Sequence, residues 1–156
     1  MQDRATNTDT VIEIRGLTKR LGRFQLGPLD MTVPRGAIYG FVGPNGAGKT
    51  VTFEMMLGMG KNDGGTITIF GHDHWREEVP IKRRLGYYGP EMDYTSWGRV
   101  GRVLALYRGF FPDWDEAYCQ QLMQRFGLRD SQQIKQMSFG EKTKLGLITA
   151  LAHKPD

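Results

Sequence analysis

Gly43-Pro44-Asn45-Gly46-Ala47-Gly48-Lys49-Thr50 fits the pattern G-x-x-x-x-G-K-[ST]. A loop of this kind binds phosphate. Its glycines let the backbone curl so that successive N–H groups point inward at an anion. Lys49 is placed to reach the β- and γ-phosphates, and the Thr50 hydroxyl to bind Mg²⁺. The flanks predict strand, loop, helix. The apolar run Ala37-Ile38-Tyr39-Gly40-Phe41-Val42 reads as a buried strand entering the loop. Thr50 to Met59 leaves it with Phe53, Met56 and Leu57 at helical spacing. A helix starting there adds its own donors and partial positive charge to the phosphate site. The simpler alternative is a plain glycine-rich turn; the flanking elements argue against it.

Upstream, Val11-Ile12-Glu13-Ile14 and Leu29-Asp30-Met31-Thr32-Val33 alternate like strands, and Leu21 to Gly27 reads as a turn or short strand. Downstream, Asn62-Asp63-Gly64-Gly65 is a turn and Thr66 to Phe70 a strand, ended by Gly71. Lys82 to Tyr88 carries a helix end and a short strand. After Pro90 the pattern turns helical. Val100, Val103, Leu104 and Tyr107 fall on one helical face. Pro112-Asp113 opens a second helix, with Asp113, Asp115 and Glu116 in its first turn. Tyr118, Leu122, Met123 and Phe126 line its buried face, and Gly127 stops it.

Composition bounds the class. The 156 residues are 39% hydrophobic, enough for one ordinary core. The net charge of +4 is mild, and no block reaches five like charges. Lys82-Arg83-Arg84 therefore reads as a solvated helix face, and no nucleic-acid partner is expected. The single Cys119 excludes an intrachain disulfide framework and fits a reducing compartment. No window approaches ~18 consecutive apolar residues. The polar segment Met1 to Thr10 lacks the apolar core of a signal peptide and reads as a disordered tail. A cytoplasmic protein is the expectation.

Ser138-Phe139-Gly140-Glu141 matches S-x-x-E, a capping box in which Ser138 caps the following helix and Glu141 reaches back. Leu145, Ile148 and Ala152, with Leu147 and Leu151, give that helix an apolar face. Alone this is an ordinary helix start. It gains meaning from the phosphate loop about ninety residues before it.

Taken together, these segments resemble an ABC-type ATPase, the ATP-binding subunit of an ATP-binding-cassette transporter, in the style of bacterial drug exporters. The resemblance covers nearly all of Val11 to Asp156. It rests on Gly43 to Thr50, Gly65 to Asp73, Leu85 to Tyr88 followed by Pro90-Glu91, Met137 to Lys142, and Ala150 to Pro155. The fold class expected is α/β: a P-loop NTPase with an N-terminal antiparallel β subdomain and a helical insert, incomplete at its C-terminus. The expected division is a tail over 1–10, an α/β core over 11–90, a helical subdomain over 91–137 and a signature helix over 138–156.

The resemblance implies ATP and Mg²⁺ as ligands. Gly43 to Thr50, with the backbone N–H of Val51, would bind ATP; Val51 stands where the family often has a hydroxyl residue. The adenine-stacking aromatic falls near Leu21, which has no π-face, and Phe24 would substitute. Thr50 and Glu91 would hold Mg²⁺, Glu91 standing where the family has a glutamine. Two subunits would dimerise head to tail, with Ser138 and Gly140 of one binding the γ-phosphate held by the other's Lys49. The family signature reads Leu-Ser-Gly-Gly-Gln. Here Phe139 replaces one of its glycines and Glu141 its glutamine. A carboxylate there is awkward beside a triphosphate unless the capping box holds it. A transmembrane permease would be the second partner, placing the subunit at the inner face of the membrane.

A Walker-B strand, an apolar run ending in Asp with a catalytic Glu after it, is expected beyond Lys154-Pro155-Asp156 and not within the sequence, as is a switch histidine. The expectation is a chain that binds ATP without a catalytic residue of its own for turnover. Its apolar surface would then be exposed. His72 and His74 are two apart without a third ligand, and both read as surface residues. Three alternatives are a soluble ABC ATPase of DNA repair or translation, a small P-loop kinase and a non-catalytic binding module. The first would need a long coiled-coil insert or tandem cassettes, and the second leaves Ser138 to Glu141 unexplained.

Overall fold

The computed structural model describes residues 9–89 and 92–156. The described residues form two compact units, divided between Lys82 and Arg83.

The first unit is built on an antiparallel sheet of four strands in the order β2-β1-β3-β4. Strands β1 (Thr10–Leu21) and β2 (Phe24–Pro34) form a hairpin across Gly22-Arg23, with Gly22 at φ 60° as a tight two-residue turn requires. Both strands outrun the alternating segments that announce them. Thr10, expected in the tail, pairs with Pro34. Ladder bonds satisfy backbone groups whatever the side chain, so pairing continues through polar residues. β1 lies between β2 and β3 (Gly64–Ile69), so Ile14 faces Met31 on one side and Ile67 on the other. All three are buried, each contributing about 1.5–3 kcal/mol. At Gly65, φ is 78° and a Cβ would lie 2.3 Å from the Gly16 carbonyl oxygen, so only glycine fits. Phe70, expected within β3, instead turns at φ 53° toward the short β4 (His72–Asp73).

Helix α1 (Lys49–Met56) follows the glycine-rich loop, and α2 (Glu78–Arg84) spans the boundary of the units. α1 buries Thr52, Met55 and Met56. The expected face of Phe53, Met56 and Leu57 is thus rotated: Phe53 is exposed and meets Phe41 edge-on, ring centroids 5.8 Å apart. The basic triplet lies at a helix surface, where Lys82 Nζ bonds Glu78 Oε2 at 2.6 Å across one turn.

Two expected strands are not formed. Ala37 to Val42 lies outside any strand, with Ile38 and Val42 exposed, and Leu85 to Tyr88 is also non-strand. A strand needs a neighbour to take its N–H and C=O groups. Among the described residues, no named strand pairs with either segment.

The second unit is helical. Its core joins Val100, Val103 and Leu104 of α3 (Val100–Phe110), Cys119, Leu122 and Met123 of α4 (Glu116–Phe126), and Leu145 and Ile148 of α5 (Phe139–Leu151). α4 opens at Asp115, whose carboxylate accepts the Tyr118 N–H at 2.8 Å, so Asp113 lies outside the first turn where it was expected. Gly127, at φ 71°, ends the helix as predicted. Cys119 is fully buried, and desolvation pushes its thiol up to about 11, leaving it unreactive. The Tyr94 hydroxyl meets Tyr107 Oη of α3 at 3.2 Å and Thr149 Oγ1 of α5 at 3.1 Å, tying the two helices by a buried polar contact. Gly146 of α5 packs so closely on Tyr88 that a Cβ would lie 2.2 Å from the ring.

Candidate nucleotide-binding site

The glycine-rich loop ends at Gly48, the N-cap of α1, in the left-handed region at φ 92° and ψ 12°. The Gly48 carbonyl accepts both the N–H and the hydroxyl of Thr52, each at 2.9 Å, which pins the loop to the first helical turn. Lys49 Nζ donates to the carbonyls of Gly43 at 2.7 Å and Pro44 at 2.8 Å. The cation is thereby drawn across the loop, and the loop is closed on itself.

A pocket of about 540 Å³ opens beside this junction. It is lined by Asn45, Gly46, Gly48, Lys49, Thr50 and Val51 together with Leu21 and Phe24 from the β1–β2 hairpin. The hairpin reaches the loop itself: a Cβ on Gly48 would lie 2.6 Å from Leu26 Cδ1 and 3.0 Å from Phe24 Cζ. The donor set is what a polyphosphate needs, with a helix N-terminus, an ammonium group and a threonine hydroxyl together. Phe24 adds an aromatic ring to the same lining. The structure thus brings Asn45, Gly46, Gly48 to Val51 and Phe24 to one pocket, while Gly43 and Pro44 meet Lys49 through their carbonyls and Ala47 does not line the pocket. Leu26 was not legible as a site residue, because only the folded hairpin brings it under Gly48.

Ser138 and Glu141 lie in the other unit, at the start of α5. The capping box forms in full: Ser138 Oγ accepts the Glu141 N–H at 3.2 Å, and Glu141 Oε2 accepts the Ser138 N–H at 2.8 Å. The Ser138 hydroxyl also donates to Glu141 Oε2 at 2.9 Å, and Gln132 Nε2 donates to Oε1 at 2.7 Å. These bonds, that from the Ser138 N–H first, hold the Glu141 carboxyl below its ordinary range. Gln132 carries no sequence signal that announces this role. Phe139 is 82% exposed, and Gly140 is exposed beside it. Glu91, the second expected Mg²⁺ ligand, lies outside the described residues.

Of the two histidines expected at the surface, His74 is instead buried, and so is His153. His74 and His153 are each 4% exposed, and none of their ring nitrogens has a hydrogen-bond partner. Burial lowers the pKa of both, and His153 stacks on Phe111 with centroids 3.9 Å apart. His72 is partly exposed, its Nδ1 lying 3.0 Å from Glu77 Oε1. Among the described residues no three His, Cys, Asp or Glu side chains gather as a metal site, and no helix is long and apolar enough to cross a membrane.

The chain is 32% identical over 158 residues to the daunorubicin/doxorubicin resistance ATP-binding protein DrrA of Streptomyces peucetius, covering 97% of this chain and 48% of that protein. It is 31% identical to the bacitracin transport ATP-binding protein BcrA of Bacillus licheniformis, covering 94% of this chain and 49% of that one. The chain thus spans about half the length of these relatives. Among solved structures, an ATP-binding subunit of an ABC transporter superposes with a TM-score of 0.75 at 23% identity, over 94% of this chain and 63% of that one. A bacterial ABC exporter with ATP bound superposes with a TM-score of 0.77 at 18% identity, over 97% of this chain and 29% of that one. These likenesses establish the α/β fold of an ABC ATPase. The ABC transporter family model matches residues 26–156, and by that match the chain belongs to the ABC transporter family, alongside its ATP-binding subunits.

Proposed function

We propose that this chain supplies the nucleotide-binding half-site of an ABC exporter subunit, in which ATP binding and hydrolysis drive export through a membrane permease. One observation carries the reading: Asn45, Gly46, Gly48, Lys49 and Thr50 of the loop line one pocket together with Phe24. The phosphates of ATP would lie against the loop from Gly43 to Thr50 and the N–H of Val51, with adenine toward Phe24. Thr50 would hold Mg²⁺, which would neutralise phosphate charge there. Lys49 would exchange its bonds to the Gly43 and Pro44 carbonyls for the β- and γ-phosphates, a charge-assisted contact in place of a neutral acceptor.

The signature segment completes the site from a second subunit. Ser138 and the Gly140 backbone would meet the γ-phosphate held by the partner, because a capped helix start directs donors at an anion. Relatives named for drug resistance and for bacitracin transport support export of drug-like molecules. Hydrolysis and coupling to the permease, at the inner face of the membrane, belong to this reading for the whole subunit. Phosphate binding is what the residues described supply.

Titration with a fluorescent ATP analogue and Mg²⁺ tests the reading. Lys49→Ala should weaken binding by at least tenfold, about 1.4 kcal/mol. Equal affinity in the variant would refute the assignment of the loop.

A further inference from the structure

Glu141 sits on the donors that the signature needs. Its Oε2 accepts both the Ser138 N–H, at 2.8 Å, and the Ser138 hydroxyl, at 2.9 Å. Its Oε1 accepts Gln132 Nε2 at 2.7 Å. Gln132 is itself fixed, since its carbonyl accepts the Val100 N–H at 3.1 Å and its N–H donates to the Arg129 carbonyl at 3.0 Å. A carboxylate in this position does chemically what a phosphate would do. It is an anion taking an N–H and an O–H at the start of a helix. A serine hydroxyl has one proton, and while Glu141 accepts it a phosphate oxygen cannot.

We infer that Glu141 is a latch on the signature segment: its carboxylate occupies the Ser138 donors in cis, Gln132 holds it there, and a nucleotide carried by a second copy of this chain must displace it. This rests on the reading that Ser138 and Gly140 take the partner's γ-phosphate. The latch makes association between subunits weaker than the donor geometry alone allows. Displacement replaces one anion by another, and the freed carboxylate then faces a polyanion.

Glutamine separates this role from helix capping. A glutamine side chain still completes a capping box, so Glu141→Gln keeps the helix start while removing the charge. Its oxygen accepts bonds roughly half as strong. The experiment is sedimentation velocity of the full chain with Mg²⁺ and a slowly hydrolysed ATP analogue. Glu141→Gln should tighten nucleotide-dependent self-association about tenfold, the effect of roughly one charge-assisted bond made neutral. Gln132→Ala, which leaves the charge and removes its tether, should move association the same way by less. A purely structural cap predicts unchanged or weaker association in both variants, and that result would overturn the latch. If Glu141→Gln does not fold, Gln132→Ala decides alone. If the wild-type chain and both variants bind the analogue through Lys49 yet none associates, the trans reading of the signature fails, and the latch with it.

Discussion

Gly48→Ala tests whether the hairpin holds the phosphate loop. The glycine has φ 92°, where an alanine costs roughly 1–2 kcal/mol. The added Cβ would also lie 2.6 Å from Leu26 Cδ1 and 3.0 Å from Phe24 Cζ. Leu26 is buried, so it cannot swing into solvent, and crowding of this kind costs about 1–3 kcal/mol. Together the loss is about 2–5 kcal/mol, a large share of a typical domain's stability. Gly46→Ala is the control: its φ of 80° carries the same backbone penalty, but nothing lies within 4 Å of its Cβ. Urea unfolding of the full chain should therefore separate the two variants by about 1–3 kcal/mol, with Gly48→Ala the weaker. Nucleotide titration should show the larger loss in the same variant, since relief of the crowding moves Lys49 away from the pocket. Equal unfolding midpoints for the two variants would refute the packing of hairpin on loop.

Two further outcomes follow from the packing. In the second unit, Gly146→Ala places a Cβ 2.2 Å from the Tyr88 ring, and should destabilise by about 1–3 kcal/mol. Tyr88→Ala in the same chain should recover part of that loss, and strict additivity in this double-mutant cycle would remove the contact from the account. His74 and His153 have pKa values lowered by burial, so the unfolded chain binds protons that the folded one excludes. Stability should hold above the ordinary histidine value of 6.5 and fall as pH drops from there through the lowered values. Replacing both by glutamine should flatten that window in unfolding curves. An unchanged slope would mean that the two rings are not buried.

Legibility in the sequence followed the range of the interaction. The capping box of Ser138 and Glu141 and the stop at Gly127 are set by residues within one turn of each other, and both form, as does a helix directly after the glycine-rich loop. The apolar periods of α3 and α4 are likewise readable, although Cys119, which the pattern leaves out, also joins their core. What escaped depends on distant partners. Ala37 to Val42 has a strand's composition but no strand beside it among the described residues. Thr52 and Met55, not Phe53, face inward because the body against which α1 packs is not encoded in the helix. Gln132 and Leu26 touch the candidate sites only through the folded chain.

The segment from Ala37 to Val42 also bears on how this chain behaves as a solute. Ile38 and Val42 are fully or nearly fully exposed, with apolar Phe41 between them. Exposed apolar residues of this kind attract one another at contact distance. What keeps copies apart at longer range is the net charge of +4, a repulsion that added salt screens within about 10 Å at 0.1 M. Added salt should therefore lower the concentration at which the chain stays dispersed.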